Sequence, residues 1–259
     1  MEVLKAIGLG KIYGGKGGKP ATQALDNVSF NVKKGEFFGI MGPSGSGKTT
    51  LLNLLATIDK PTTGTVIINN QDLSKLKGKK LATFRRRELG FIFQDFNLLD
   101  TLTLGENIAL PLVVDKQNYK TIEKKVKEIS QALGIGSILN KYPYEVSGGE
   151  QQRAAAARAI IHDPTIIFAD EPTGNLDSKS ARDLMDSLKG LNTLNKSTIL
   201  MVTHDPFAAS YCERIMFIRD GQIYTEIQSS DNRQAFFQQI LDVLSMLGGS
   251  HSEIAKDRL

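Results

Sequence analysis

Short apolar runs alternate with polar stretches along most of the chain, at the spacing expected of strands and helices. The predicted strands are residues 3–8, 25–30, 36–41, 64–68, 90–93, 165–170 and 198–203, with two short strands around Asp220-Gly221. The predicted helices are residues 48–56, 79–89, 119–133, 151–161, 179–191 and 233–247. This alternation is typical of an α/β domain.

The strand pattern disappears between residues 104 and 161. Ile122, Val126 and Ile129 follow helical spacing there, and the alanine-rich segment 151–161 has high helix propensity. We therefore predict a helical subdomain at about 95–160, inserted into a main domain that spans residues 1–227.

A C-terminal helical extension is predicted at 228–259. Asp231 before Gln234 resembles a helix start, and the apolar face of this last helix either packs on the main domain or docks a partner.

Composition narrows the class of protein. The chain has 259 residues, of which 41% are hydrophobic, so it can bury a sizeable core. No stretch approaches the roughly 18 apolar residues that a membrane span needs. Cys212 is the only cysteine, so no intrachain disulfide can form, which suits a reducing cytosol. Cys212 is predicted to be a small buried residue. A net charge of +4 is too small to indicate a nucleic-acid partner, and we expect none.

The most informative motif is the glycine-rich run at 42–49, which follows a predicted strand and precedes a predicted helix. It fits the pattern G-x-x-x-x-G-K-[ST], whose backbone N–H groups surround phosphates at a helix N-terminus. Lys48 is expected to bridge the outer phosphates, and the Thr49 hydroxyl to hold Mg²⁺. The predicted nucleotide-binding residues of this loop are Gly42, Pro43, Ser44, Gly45, Ser46, Gly47, Lys48, Thr49 and Thr50.

Polar residues at strand ends supply the expected catalytic groups. Asp170 can reach Mg²⁺, and Glu171 can orient and deprotonate the attacking water. Alone, the two acids would fit a solvated turn equally well. Gln94 can reach Mg²⁺ or the water through its amide oxygen, and His204 can donate a hydrogen bond to the terminal phosphate.

A Ser-Gly-Gly run at 147–149, followed by Glu150, is predicted to form a second phosphate-contacting loop. In this order, residues 42–49, Gln94, the Ser-Gly-Gly run, Asp170-Glu171 and His204 resemble the ATP-binding cassette of ABC transporters, from about residue 2 to 227. The resemblance implies an α/β fold with a P-loop NTPase core, an inserted helical subdomain and an antiparallel N-terminal β part. It also implies ATP hydrolysis with Mg²⁺.

The resemblance assigns further residues. Ser147, Gly148, Gly149 and Glu150 would contact the nucleotide held by a second copy of the chain, and Asp177 would lie in the D-loop. Tyr13 matches the aromatic residue that stacks on adenine, although a core tyrosine would look the same. Val146 and Glu150 differ from the usual Leu-Ser-Gly-Gly-Gln, and Asn175 replaces an expected alanine.

Within the family, segments 99–103, 204–212 and 236–240 are similar to bacitracin-type transporters that give resistance to peptide antibiotics. This implies an integral-membrane permease as partner, a location at the cytoplasmic face of the membrane, and a sensor kinase reached through the permease. The alternative is the ATPase of a macrolide-exporter, lipoprotein-release or cell-division complex. A soluble ABC ATPase acting on DNA or ribosomes usually has two cassettes or a coiled-coil insertion, and this chain has neither.

Overall fold

The structure is a computed structural model that describes residues 1–14, 20–230 and 232–248. The strands are β1 (Glu2–Gly14), β2 (Ala21–Lys33), β3 (Phe37–Met41), β4 (Thr63–Ile68), β5 (Gln71–Asp72), β6 (Leu89–Ile92), β7 (Ile166–Asp170), β8 (Ile199–Val202), β9 (Arg214–Arg219) and β10 (Gln222–Gln228). The α-helices are α1 (Lys48–Leu55), α2 (Gly78–Glu88), α3 (Leu104–Val114), α4 (Tyr119–Ala132), α5 (Gly148–Ile160), α6 (Ser178–Asn195), α7 (Pro206–Ala209) and α8 (Arg233–Met246).

The chain divides into two compact units. The first contains Met1–Lys33, Phe37–Lys75 and the described residues from Met201 onward, and the second contains Lys34–Glu36 and Leu76–Leu200. The second unit is larger than the predicted helical subdomain, whose boundaries at 95–160 stay a prediction. Between β6 and β7 the chain forms helices and turns only, as the sequence predicts.

The first unit contains an antiparallel sheet in the order β2-β1-β4-β5. In the same unit, β9 pairs antiparallel with β10 and parallel with β3. Phe37, Phe38 and Ile40 of β3 are fully buried, which gives the strand apolar neighbours on both faces. The antiparallel N-terminal β part is therefore confirmed.

In the second unit, β6 and β7 form a parallel pair, with Ile92 opposite Ala169. The N–H of Ile167 donates to the carbonyl of Thr198 over 2.9 Å, so the start of β8 lies beside β7 as predicted. Parallel neighbours need a crossover connection, and the helices between them supply it. No helix in the described parts of the chain is both long and apolar enough to cross a membrane.

The predicted elements are present, with their ends shifted by a few residues in most cases. β1 is the largest departure, because it continues to Gly14 through a stretch whose glycines and polar residues hide the strand pattern. The glycine- and lysine-rich loop predicted to follow it lies, at residues 15–19, outside the described residues. The short α7 and the two-residue β5 were not predicted, and α3 was predicted only as part of the helical subdomain, without bounds of its own.

The C-terminal helix begins at Arg233, as predicted. Asn232 is the N-cap, and its side chain accepts hydrogen bonds from the N–H groups of Gln234 and Ala235. Asp231, which resembles a helix start in the sequence, lies outside the described residues, and the residue that follows it is the N-cap. Phe236 and Ile240 are fully buried, which favours packing on the main domain for this face of α8. Cys212 is buried, as predicted.

Candidate nucleotide site

The glycine loop joins the buried strand β3 to α1, and its backbone needs glycine. Gly47 is the N-cap of α1 with φ +103°, and Gly45 has φ +78°, both in the left-handed region. A Cβ on Gly47 would lie 2.5 Å from the carbonyl oxygen of Ala24. Any side chain at Gly47 would therefore displace β2 or deform the loop.

Polar groups converge at this helix N-terminus. Lys48 is only 8% exposed, and its Nζ donates to the carbonyls of Gly42 and Pro43 over 2.8 and 2.9 Å. The Oγ of Ser46 is buried and has no hydrogen-bond partner in the structure. A buried hydroxyl and an ammonium beside a helix N-terminus are suited to phosphate oxygens. The loop therefore fits a nucleoside triphosphate.

His204 lies at the same end of β3 as the glycine loop. The N–H of Thr203 donates to the carbonyl of Ile40 over 3.1 Å, and Ile40 precedes Gly42 by two residues. The His204 side chain is exposed. The structure thus brings His204 to the edge of the first unit where the loop begins.

Tyr13, near the end of β1, is not a core residue. Its side chain is 42% exposed, its hydroxyl donates to Asp59 over 2.9 Å, and the Nζ of Lys11 lies 4.8 Å from the ring centroid. Lys11 also donates to Asp59 and lowers the pKa of that carboxyl, with smaller effects from Lys60 and Tyr13. The ring is thus fixed in orientation while part of its surface remains accessible.

In the second unit, the predicted catalytic residues lie at the ends of two neighbouring parallel strands. Gln94 follows β6 by two residues, and Asp170 ends β7. Glu171 has φ +45°, which is uncommon outside glycine and is often found at functional sites. Gln94 and the two acids therefore share one edge of the sheet.

Asn175 connects Gln94 to the turn that follows β7. The Gln94 Nε2 donates to Asn175 Oδ1, and Asn175 Nδ2 donates to the Gln94 carbonyl, each over 3.2 Å. Asn175 Nδ2 also lies 3.0 Å from Asp95 Oδ1. An alanine at this position could form none of these bonds.

The Ser-Gly-Gly run forms the N-terminus of α5. Ser147 is the N-cap, its N–H and Oγ both donate to Glu150 Oε2 over 2.8 Å, and Glu150 N–H donates back to Ser147 Oγ over 3.4 Å. These bonds hold the pKa of Glu150 below its ordinary value. The arrangement is a capping box, in which glutamate and glutamine are both accepted. The pattern S-x-x-E in the sequence already carries this signal.

Two residues of α5 that sequence reasoning missed hold the neighbouring turns. The buried Gln152 donates through Nε2 to the carbonyls of Phe93 and Pro172, over 2.9 and 2.8 Å. Arg158 donates to the carbonyls of Asn97 and Phe96, over 2.6 and 3.1 Å. Phe96 and Asn97 both have positive φ. The helix that begins with the signature serine thus fixes the turn after Gln94, and no local pattern in the sequence indicates this.

Asp177 caps α6 rather than standing free. Its side chain accepts from the N–H groups of Lys179 and Ser180 and from the Ser180 hydroxyl, whose 2.6 Å bond is the main cause of its lowered pKa. A Cβ on Gly149 would lie 2.5 Å from Ser180 Oγ. Asp177 and the signature loop are therefore adjacent in the second unit.

Comparison with known proteins gives one consistent result. Residues 25–174 match the family model described as ABC transporter. The chain is 58% identical to the uncharacterized ABC transporter ATP-binding protein YvcR of Bacillus subtilis over 100% of both chains. It is 53% identical to the bacitracin export ATP-binding protein BceA of Halalkalibacterium halodurans, over 98% of this chain and 100% of that one.

A solved structure of the cassette MJ0796 from Methanocaldococcus jannaschii is also similar. It is described as the dimeric structure of a post-hydrolysis state bound to ADP and Pi. The TM-score is 0.79 at 40% identity, over 88% of this chain and 100% of that one. The chain therefore belongs to the ABC transporter family, as an ATP-binding subunit that hydrolyses ATP.

Proposed function

We propose that this chain powers a membrane permease that gives resistance to peptide antibiotics of the bacitracin or lantibiotic type. The observation that carries the proposal is the 53% identity to a bacitracin export ATP-binding protein, which extends over nearly the whole of both chains. The permease would hold the chain at the cytoplasmic face of the membrane, and a sensor kinase would respond through the permease.

The glycine loop would bind the phosphates of ATP. Its N–H groups and the buried Ser46 hydroxyl would contact phosphate oxygens, while Lys48 would leave the carbonyls of Gly42 and Pro43 to bridge the outer phosphates. Tyr13 would stack on adenine through its exposed ring face.

The side chains proposed for Mg²⁺, Thr49 in the first unit and Gln94 and Asp170 in the second, carry oxygen donors, which Mg²⁺ prefers. No group of three or more histidine, cysteine or acidic side chains that could hold a metal ion is found among the described residues. Mg²⁺ in nucleotide sites needs only one or two protein ligands, because phosphates and water complete its octahedron. Thr49, Asp170 and Gln94 would supply those ligands, and the bound ion would neutralise phosphate charge.

Glu171 would act as the general base on the attacking water. The left-handed backbone at Glu171 turns the chain sharply at the end of β7, which is consistent with a residue whose side chain must take one particular direction. His204 would donate a hydrogen bond to the terminal phosphate and so respond to its presence.

Two copies of the chain would close around two ATP molecules. Ser147, Gly148 and Gly149 form a capped helix N-terminus, which is a second anion-binding site that a facing glycine loop could use. Glu150 and Asp177 would support this surface through the Ser147 and Ser180 contacts.

The permease would engage the second unit at a cleft of about 370 Å³ near the ends of α2 and α3. Apolar and charged groups meet there, and Val113 and Val114 beside the cleft are each 54% exposed. The residues that line the cleft are Arg86, Arg87, Pro111, Leu112, Asp115, Gln117 and His162.

Purification from membranes tests the proposal. The chain, tagged and expressed in its native host, should co-purify with a large permease, and ATPase activity of the complex should rise with bacitracin or a lantibiotic. A Val113→Asp variant should lose the permease, whereas Leu194→Asp, at an 82% exposed position elsewhere in the second unit, should keep it. A response to lipoprotein or macrolide instead of peptide antibiotic would favour the alternative. Recovery with DNA or ribosomes would contradict a transporter role.

A further inference from the structure

Helix α8 is connected to the segment that follows His204 by a cation–π contact. The guanidinium of Arg233 lies 4.2 Å from the ring centroid of Tyr211 and 5.6 Å from that of Phe207. The two rings meet edge to face with centroids 5.5 Å apart. One cation thus contacts both rings and favours a single arrangement of the pair.

The position of Arg233 within α8 is otherwise unfavourable. It is the first residue of the helix, where the helix dipole presents its positive end and disfavours a cation. The ring pair offsets this repulsion. Phe236 and Ile240, fully buried on the same helix, hold α8 in place and so fix where the guanidinium lies.

The segment 203–211 forms a compact turn between two anchors, with His204 near its start. At one end, Thr203 donates its N–H to Ile40 of β3. Inside the turn, the Asp205 N–H donates to Thr203 Oγ1 over 3.0 Å, and Asp205 accepts the N–H of Phe207 over 2.9 Å. At the other end, Ala209 and Tyr211 are buried, and the contact with Arg233 adds to this anchor.

We propose that Arg233 is a positioning residue for ATP hydrolysis, which keeps the His204 turn in its working place through Phe207 and Tyr211. The inference rests on the proposed role of His204 at the terminal phosphate. It gives the C-terminal helix a part in the rate of turnover, in addition to its packing on the main domain.

Steady-state ATPase kinetics of the full chain test this. Arg233→Ala should lower kcat about two- to five-fold, the factor that corresponds to an exposed cation–π contact, while KM for ATP changes less than about two-fold. Arg233→Lys keeps a cation over the rings and should retain most of kcat. Arg219→Ala is the matched control, since Arg219 is also exposed and its guanidinium lies 3.5 Å from the carboxylate of the exposed Asp220. Equal kcat values in the Arg233→Ala and Arg219→Ala variants would overturn the proposal.

The same substitution in a second protein, His204→Ala, distinguishes a positioning role of Arg233 from a general loss of structure. In a His204→Ala protein, adding Arg233→Ala should cause no further loss of kcat, because the group it positions is gone. The same fractional loss in both backgrounds would overturn the inference. Wild-type turnover in His204→Ala alone would overturn the proposed role of His204 and this inference with it. A loss in His204→Ala with none in Arg233→Ala would overturn the inference alone.

Discussion

Gln94 and Asn175 bind each other reciprocally, each through a side-chain amide donor over 3.2 Å. The bonds connect the turn after β6 with the turn that precedes α6. They keep the Gln94 amide directed toward this second turn, which begins with Glu171 directly after Asp170 ends β7.

Removal of this connection should affect turnover more than stability. Asn175→Ala is expected to lower kcat about two- to ten-fold, which corresponds to the net value of an ordinary hydrogen bond. The melting temperature should change little, because both side chains are exposed. Asn175→Asp keeps the acceptor for Gln94 but places a second acid beside Asp95, and so should also be slower. Wild-type kcat in both variants would show that Gln94 needs no support from Asn175.

Glu171→Gln should slow ATP hydrolysis by about 10²–10⁴-fold, the usual range for loss of a general base. ATP binding should persist, because in the proposed site the phosphates contact the glycine loop rather than Glu171. Phosphate release under single-turnover conditions and binding of a fluorescent ATP analogue measure the two effects. Normal turnover would remove Glu171 from the mechanism.

Ser147→Arg should prevent the closed dimer, because a long cation would replace the hydroxyl that, in the proposed dimer, faces the partner's nucleotide. Size exclusion with ATP, in the Glu171→Gln background to prevent hydrolysis, would show monomers, while ATP binding by each copy persists. Ser147→Ala is the matched control, because it loses the N-cap at a cost of about 1 kcal/mol but adds no bulk. Dimers in the Ser147→Arg protein would count against the facing arrangement.

Arg158→Ala should destabilise the second unit through the turn at Phe96 and Asn97. A hydrogen bond from a charged donor contributes about 1.5–3 kcal/mol to the free energy of unfolding. The carbonyls of Phe96 and Asn97 would both lose their bond from Arg158. Urea unfolding is expected to show a loss of about 2–3 kcal/mol. Arg158→Lys should restore only part of it, since an ammonium lacks the planar fork that reaches two carbonyls at once. A change below about 0.5 kcal/mol, as at ordinary surface sites, would show that other contacts fix the turn.

The capping box at Ser147 should make stability depend on pH through Glu150. The folded state lowers the pKa of Glu150, so its contribution is complete above the ordinary glutamate value of about 4.3. That contribution is lost as the pH falls below this value, through the folded-state pKa. Glu150→Gln keeps the capping box but has no group that titrates. Its melting temperature should therefore fall less between pH 6 and pH 3 than that of the wild-type protein. Parallel curves for the two proteins would contradict the assignment.

The sequence predicts the long, regular parts of the fold because their periodicity is local. The strand before the glycine loop and the helix after it follow directly from the run of apolar residues and from the motif. β1 was underestimated because glycine and polar residues occupy its second half. Glu150 stands where the family usually has glutamine. The S-x-x-E spacing explains this locally, because either residue completes the capping box at Ser147.

What the sequence does not reveal are contacts between distant positions. Gln152 and Arg158 look like ordinary polar residues of an alanine-rich helix, and only the fold brings them to carbonyls 59 to 62 residues away. The same holds for Arg233, whose ring partners precede it by more than 20 residues. Such residues repeat no pattern and match no short motif, so their roles follow from packing alone.

The Ser147 hydroxyl already donates to a carboxylate. Before it can serve a neighbouring nucleotide, it must exchange that anion for a phosphate oxygen, and the displaced Glu150 carboxylate remains close by. Glutamine in the same position would leave no such charge behind. The residence time of ATP between two copies should therefore be shorter with Glu150 than with glutamine, so the side chain that steadies the signature helix would also speed the reopening of the dimer.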